Sequence, residues 1–469
     1  MRGERCSVLI KGTDLLKACR GELLQGDPEQ LITGFSIDSR TAEKGDFFVP
    51  LRGEKEDGHR YISSAAAAGA CGSFCSQGPP AGLAPNFLLI GVPDVLEALQ
   101  QAAAYHRRRF ELPIIGVTGS SGKTTTKDLI AAVLSGGPKV LKSEGNLNNE
   151  IGLPLTLLRL DKDCAAAVLE MGMSAPGEIA LLARLAGPHF GVITNIGTAH
   201  LESLGSRAAI ASAKEELLDA IGVRGTAVLN ADDRFLQEMG ARFKGRLYTF
   251  GFSRSDLRAS SYRLQGESSR FEVSFPGGEG GSFSLPLPGR HFVSNALAAL
   301  AIGYLQGVSL PEMRSRLEGT QITGGRLQIF TNRVGIKIID DSYNANPDSV
   351  RAALEVLREL GGSNTIAVLG EMLELGPSEK ELHRKIGRYA AGCRIGALIG
   401  VGPLGAEIAA AAAAAGLTAR ACDDRRAAVK AVRALSPAPG CYILVKGSRG
   451  MRMEAIVEEL KDGAEGDSE

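Results

Sequence analysis

The sequence predicts an α/β protein of three domains, two of them built on parallel sheets. Three observations carry this expectation. The chain has 469 residues, enough for three domains at ~150 residues each. Apolar runs of strand length alternate with helical stretches through the middle and C-terminal parts, the order that parallel sheets require. A glycine-rich turn, Gly116-Val117-Thr118-Gly119-Ser120-Ser121-Gly122-Lys123-Thr124-Thr125, stands between an apolar strand signal and a helix signal. The expected domains are residues 1–112, 113–325 and 326–469.

That turn is the strongest chemical signal. Glycines at 119 and 122 let backbone N–H groups close around phosphate oxygens at the positive end of the following helix. Lys123 is then expected to reach the outer phosphates of ATP, and the Thr124 hydroxyl to ligate Mg²⁺. Gly119, Ser120, Ser121, Gly122, Lys123, Thr124 and Thr125 form the expected ATP-binding loop. Its first glycine lies off the usual G-x-x-x-x-G-K-[ST] spacing, where Val117 stands.

Composition narrows the class. There are 53 basic and 53 acidic residues, so no nucleic acid or anionic membrane is expected as a bulk partner. The apolar run after Met1 is too short for a signal peptide, and no segment approaches the ~20 apolar residues that span a bilayer. The eight cysteines are scattered, and Cys71 and Cys75 have no neighbouring Cys or His to complete a metal site. They read as reduced thiols of a cytoplasmic protein.

In the N-terminal segment, Phe35–Arg40 and Phe47–Leu51 read as short strands and Tyr61–Ala70 as a helix. Ser39, Arg40 and His59 lie on the polar loops between them, where they could hold a nucleotide-sugar diphosphate or simply face solvent. A helix over Val92–Ala104 is expected to lead into the next domain, with His106-Arg107-Arg108-Arg109 as its C-terminus.

In the central segment, an amide-rich loop at 144–154 suits polar ligand contacts. The buried run Ala165–Leu169 ends in Glu170, a carboxylate at the carboxyl end of a strand, where open α/β sheets bind ligands. Glu170 is therefore a candidate Mg²⁺ ligand. The run Phe190–Ile196 leads to His200 on the same expected edge. Lys214 falls on a helix over Arg207–Ala220, and Asn295 is expected near the N-cap of an alanine-rich helix.

In the C-terminal segment, strands are expected at Val334–Ile339, Thr365–Leu369, Ala397–Val401 and Tyr442–Val445, alternating with helices. This implies a second doubly wound sheet. Pro347 suits the first turn of a helix capped by Asn346. The last strand ends in Lys446-Gly447-Ser448-Arg449-Gly450, a cationic, flexible loop where an anionic group could dock; its positive charge opposes the following helix dipole, so a purely structural role explains it poorly.

At this point the motifs match a family. The sequence resembles the Mur ligases and folylpolyglutamate synthetases, whose phosphate loop has the form G-x-T-G-x-x-G-K-T-T found at 116–125. The likeness runs through Asp38–Arg40, Asp57–His59, 146–154, 170–172, 194–202, 340–347, 370–376 and 445–451. At Glu371 the family pattern usually has aspartate. The resemblance implies a small α/β UDP-binding domain, a central P-loop ATPase-type parallel-sheet domain, and a C-terminal Rossmann-like domain for the incoming substrate. Within the family it points to the members that add D-alanyl-D-alanine to UDP-N-acetylmuramoyl-tripeptide through an acyl phosphate, as cytoplasmic monomers in peptidoglycan precursor synthesis.

The resemblance implies the residue roles too. Thr124 and Glu170 hold one Mg²⁺, and His200 helps hold a second. Lys214 looks like the family's carbamylated lysine, a further ligand of that metal. Lys123, Lys214, His200 and Glu170 form the implied catalytic set. Asn295, Arg326, Asp341 and Asn344 resemble nucleotide contacts. Ser39, Arg40 and His59 fall near the UDP end of the acceptor, and Lys446, Ser448 and Arg449 near the dipeptide carboxylate. Two alternatives remain beside this reading. One is a ligase that adds lysine or diaminopimelate, although its D-[DN]-P-R motif is absent. The other is an ATP-binding switch without ligase activity.

Overall fold

A computed structural model describes residues 10–322 and 324–461. The N-terminal stretch in which the sequence places no leader lies almost wholly outside the described residues. No helix among them is long and apolar enough to cross a membrane. All seven described cysteines are free thiols.

The N-terminal part is a five-stranded sheet in the order Glu22–Gln25, Leu88–Gly91, Gly72–Cys75, Asp46–Phe48, Gly34–Ser36. The last four strands are parallel, and Glu22–Gln25 runs antiparallel at one edge. The strand expected over Phe35–Arg40 stops at Ser36, because Asp38 bends the chain by accepting the Arg40 backbone N–H at 3.0 Å. The expected helix at 61–70 runs from Ile62 to Ala68 and ends where Gly69 takes a left-handed φ of 111°.

The linking helix is Val95–Arg107. Its apolar face, Val95, Ala98, Leu99 and Ala102, joins one hydrophobic cluster that also contains Phe47 and Phe74 of the N-terminal sheet and Leu153, Leu169 and Leu182 of the central part. The expected basic C-terminus is there. Buried Arg107 donates to Ala186 O, at the last residue of the helix Glu178–Ala186, at 2.7 Å, and to Phe110 O, in the loop after its own helix, at 2.8 Å.

The central sheet has nine strands. Seven are parallel: Lys139–Lys142, Cys164–Glu170, Ile114–Thr118, Phe190–Ile193, Thr226–Asn230, Arg246–Gly251 and Leu257–Gln265, in that spatial order. An antiparallel extension, Ser268–Ser274 and Gly280–Leu285, completes it; the sequence reading does not anticipate these strands. The chain crosses over after Ile114–Thr118, which has Cys164–Glu170 on one side and Phe190–Ile193 on the other. Brackets of this kind leave a crevice at the carboxyl ends of the strands. Two helices, Lys123–Leu134 and Arg290–Leu305, pack together over this sheet.

The C-terminal sheet has the order Gln328–Thr331, Lys337–Asp341, Tyr442–Lys446, Thr365–Leu369, Ala397–Val401, Ala419–Cys422. Five strands are parallel, and Gln328–Thr331 is antiparallel at the edge. The Asn346 cap is as expected: its side chain accepts the Ser349 N–H at 2.8 Å, and Pro347 opens the helix Pro347–Gly361.

Leu297 is fully buried on the helix Arg290–Leu305, in a cluster shared by the central and C-terminal parts. Leu297→Ala should therefore cost about 2–5 kcal/mol, measured as a lower denaturant midpoint.

Candidate active site

A cleft of about 910 Å³ opens where the carboxyl ends of the central strands meet the C-terminal sheet. It is lined by the phosphate loop, Glu170, His200, Asn295, Arg326, Asp341, Asn344 and Lys446. The sequence placed these residues in several separate segments, and the fold gathers them on one surface.

The phosphate loop has the backbone its glycines allow. Gly119 has φ +150° and Gly122 φ +77°. A Cβ on Gly122 would lie 2.6 Å from Asn295 Oδ1, so this glycine is required by close approach as well as by conformation. The loop is braced from the next strand end. Asn195 Oδ1 accepts the Ser121 N–H at 3.1 Å, its carbonyl accepts the Ser120 N–H at 3.0 Å, and Thr194 Oγ1 donates to Ser121 O at 2.6 Å. The sequence reading gave Thr194 and Asn195 no role. Their only signal was position at a strand end beside the loop.

Behind the loop sits the one acidic group of the catalytic set. Strand register sets Glu170 opposite Val117. The buried Thr124 hydroxyl donates to Glu170 Oε2 at 2.7 Å, and Asn148 Nδ2 donates to Oε1 at 2.8 Å. Arg326, from beyond the central sheet, donates to Thr124 Oγ1 at 2.9 Å and stacks over Tyr343 at 4.3 Å. The amide-rich loop thus orients the carboxylate through Asn148. Hydroxyl and carboxylate oxygens held side by side suit a hard cation such as Mg²⁺. No group of three or more His, Cys, Asp or Glu side chains is gathered for a metal among the described residues. A cation here would complete its shell with phosphate oxygens and water.

Three basic groups crowd the same place. Lys123 Nζ donates to Gly119 O at 2.9 Å; burial and the nearby Arg326 push its pKa down, while Glu170 opposes them. Lys214, on the helix Arg207–Ile221, is buried and has no hydrogen-bond or ion-pair partner among the described residues. Burial, with Lys123 beside it, holds its pKa well below the ordinary lysine value. His200 is depressed by burial and by Lys123, against the pull of Glu374.

On the other wall, Lys446 and Asp341 face each other across adjacent strands in register, 2.6 Å apart. Burial raises the Asp341 pKa, and Lys446 opposes the rise. Lys446 also donates to Asn344 O at 2.8 Å. It ends its strand as a buried residue, where the sequence suggested a flexible loop.

Several expectations change. Asn295 is not near an N-cap. The helix starts at Arg290 behind Gly289, whose φ of +120° ends the preceding segment, so Asn295 sits inside it facing the phosphate loop. The buried Ser448 hydroxyl is occupied by backbone: it accepts from Leu373 N at 2.9 Å and donates to Ala345 O at 3.3 Å. Arg449 and Ser448 are outside the cleft lining, although Arg449 lies over the Tyr343 ring at 5.8 Å. The sequence also passed over His291, a cleft residue whose pKa burial and Lys446 push to about 3, and Arg290, which stacks on Phe252 at 3.8 Å.

Ser39, Arg40 and His59 form a separate group, at the carboxyl edge of the N-terminal sheet. Arg40 pairs with Asp38 at 2.6 Å and pulls its pKa to about 2. Both ring nitrogens of His59 are used: Nδ1 lies 2.7 Å from Asp57 Oδ1, and Nε2 accepts the Ser76 N–H at 3.1 Å. His59 therefore braces the edge, leaving Arg40 and Gln77 as its polar front.

Three family models match: the Mur ligase family catalytic domain at residues 31–107, the Mur ligase middle domain at 117–303, and the glutamate ligase domain of Mur ligases at 325–449. The chain is 38% identical over 459 residues to UDP-N-acetylmuramoyl-tripeptide–D-alanyl-D-alanine ligase of Bacillus subtilis, covering 96% of this chain and 99% of the relative. It is 34% identical to the enzyme of that name from Escherichia coli, covering 96% and 97%. A crystal structure of MurF from Acinetobacter baumannii superposes with a TM-score of 0.89 at 33% identity, covering 97% of this chain and 99% of that one. MurF ligase from Thermotoga maritima in complex with ADP gives 0.81 at 28% identity, covering 91% and 97%.

Buried His383 accepts the Met372 N–H on Nε2 at 2.9 Å and contacts Glu379 O through Nδ1 at 2.7 Å. Burial lowers its pKa below the ordinary 6.5. The unfolded chain then binds the extra proton first, so this contribution to stability is full above about 6.5 and is lost as pH falls toward the folded value. His383→Leu should cost about 1–3 kcal/mol at pH 8 by orphaning the Met372 N–H. The gap to the parent should narrow toward pH 5 in denaturation midpoints.

Proposed function

The chain belongs to the Mur ligase family, and we propose that it joins D-alanyl-D-alanine to UDP-N-acetylmuramoyl-tripeptide, using ATP and yielding UDP-N-acetylmuramoyl-pentapeptide, ADP and phosphate. It is a ligase of peptidoglycan precursor synthesis, and in this reading it works as a cytoplasmic monomer. One observation supports the chemistry above others. A braced phosphate loop, a strand-end carboxylate and the basic groups Lys123, His200 and Arg326 share one cleft between two sheets, with Lys214 buried beside Lys123 just outside its lining.

The acceptor's terminal carboxylate is a poor electrophile. One of its oxygens attacks the γ-phosphorus, the bridging P–O bond breaks, and ADP leaves. Both reactants are anionic, so their approach needs positive charge that does not have to reorganise. Lys123 supplies it from inside the loop, and Gly119 to Thr125 hold the phosphates. The dipeptide's neutral amine then attacks the acyl carbon. The tetrahedral intermediate loses a proton and expels phosphate as the peptide bond forms. Closure of the two domains that wall the cleft would keep water from the acyl phosphate.

Mg²⁺ bound to Thr124 and Glu170 would neutralise phosphate charge. His200 and Lys214 would serve a second ion, Lys214 after capture of CO₂ as a carbamate. An unpaired, buried amine with a depressed pKa suits that capture, because the neutral form is the nucleophile. Asn295, Arg326, Asp341 and Asn344 frame the nucleotide. Arg40 and Ser39 face the UDP end, supported by His59. Lys446 and Arg449 supply positive charge toward the dipeptide carboxylate, with Ser448 holding their loop.

The direct test is phosphate release from Mg-ATP with the UDP-tripeptide, with and without D-alanyl-D-alanine. Release that requires both substrates, with formation of the pentapeptide, is the expected result. Release with single amino acids instead would overturn the proposal. Lys123→Ala should lower kcat by at least about 100-fold, and near-normal turnover would remove Lys123 from its role. Lys214→Ala should lose activity that short carboxylic acids partly restore. A folded variant that none of them rescues would sink the carbamate.

A further inference from the structure

The segment Gly370–Gly376 follows the strand Thr365–Leu369 of the C-terminal sheet, and the reading above gives it no part. It is firmly placed. Met372 N–H bonds His383 Nε2 at 2.9 Å, Leu373 N–H bonds Ser448 Oγ at 2.9 Å, and Glu371 Oε1 accepts the Leu404 N–H at 3.0 Å. From this base Glu374 reaches the central domain, and its Oε2 lies 2.8 Å from His200 Nδ1.

The backbone joins in. Glu202 N donates to Glu374 O at 3.2 Å, and a Cβ on Gly376 would stand 3.3 Å from Glu202 Cα. His200 and Glu374 themselves have φ of +62° and +63°. Residues with side chains seldom occupy that region, and where they do the surroundings hold them there. Two such residues meeting side chain to side chain across a domain junction is a built contact. Glu374 pairs with no other cation among the described residues. Its carboxylate is largely exposed, so it is free of any packing duty.

We propose that Glu374 is a positioning residue: carried in by the C-terminal domain, it fixes the His200 imidazole as the Nδ1–H tautomer and leaves Nε2 facing the reaction centre. The chemistry is one-sided, since a carboxylate can only accept, so the ring nitrogen beside it must carry the hydrogen. Without Glu374 the ring turns freely and exchanges tautomers. The central domain's reaction centre is then complete only when the C-terminal domain has closed. This rests on the reading of His200 as part of that centre.

The chain has six histidines, few enough for ¹⁵N-imidazole NMR on the full protein, with His200→Ala identifying the resonances of His200. The parent should show His200 with its hydrogen on Nδ1. Glu374→Ala should shift only that ring toward an averaged pair of tautomers, and Glu374→Gln, which keeps an acceptor oxygen, should retain the parent pattern. Glu374→Ala should also lower kcat about 10- to 100-fold, with the KM for ATP and both substrates within about threefold. In a His200→Ala background it should have no further effect. An unchanged His200 ring in Glu374→Ala, or a full effect without His200, would overturn the proposal. The tautomer is read without turnover, so a failure of the proposed reaction would show separately, as absent phosphate release by the parent.

Discussion

Desolvated positive charge is the constraint on which this molecule turns. Lys123 and Arg326 meet beside one catalytic carboxylate, Glu170, whose two oxygens are already engaged by Thr124 and Asn148, and Lys214 and His200 crowd Lys123 from the other side. Basic groups withdrawn from water without equal counter-charge raise the free energy of the empty site. A polyphosphate relieves that cost on binding. The parallel sheet makes the arrangement possible, because register alone puts Glu170 beside the phosphate-loop strand. Thr194 and Asn195 then hold the loop open in its binding shape. Binding strength and catalytic charge therefore come from the same imbalance.

The second sheet meets this centre with a paired wall. Lys446 and Asp341 are neighbours in strand register and pair at 2.6 Å, so Asp341 holds the Lys446 ammonium in place at the cleft wall. Beside Arg326 on Thr124, two of its contacts with the central domain are made by carboxylates. Asp348, near the start of the helix Pro347–Gly361, accepts from Thr198 N at 2.9 Å and Thr198 Oγ1 at 3.1 Å, and Glu374 meets His200. Charge is answered in both directions, since Lys337 of the C-terminal sheet pairs with Glu267 of the central domain at 3.0 Å. The junction is matched in charge and is at the same time the mouth of the cleft.

How far the sequence could be read follows from the range of the interactions. The phosphate loop, the strand-end Glu170 and the Asn346–Pro347 cap are set by neighbours a few residues away, and local chemistry showed them. Arg326 on Thr124, Glu374 on His200 and Asp348 on Thr198 join segments far apart in the chain, and no local pattern announces such pairs. Asn295 was placed at a helix start because the alanine run begins after it. The true start is set by Gly289, whose conformation a composition argument does not see. The strands Leu257–Gln265, Ser268–Ser274 and Gly280–Leu285 lack the continuous apolar runs that mark the buried strands; their signal is alternation instead, clearest in Ser268–Ser274. Family likeness supplied what spacing could not, above all a role for the buried Lys214.

Glu371 stands where the family pattern usually has aspartate, and its carboxylate meets the backbone N–H of Leu404 in the first turn of the helix Pro403–Ala414. Aspartate is shorter by one C–C bond, about 1.5 Å, and from the same backbone would leave that N–H unanswered. The longer acid and the helix start it reaches therefore fit each other. A chimera that exchanges either between relatives should carry both, with its crossover points placed before residue 370 and after 404.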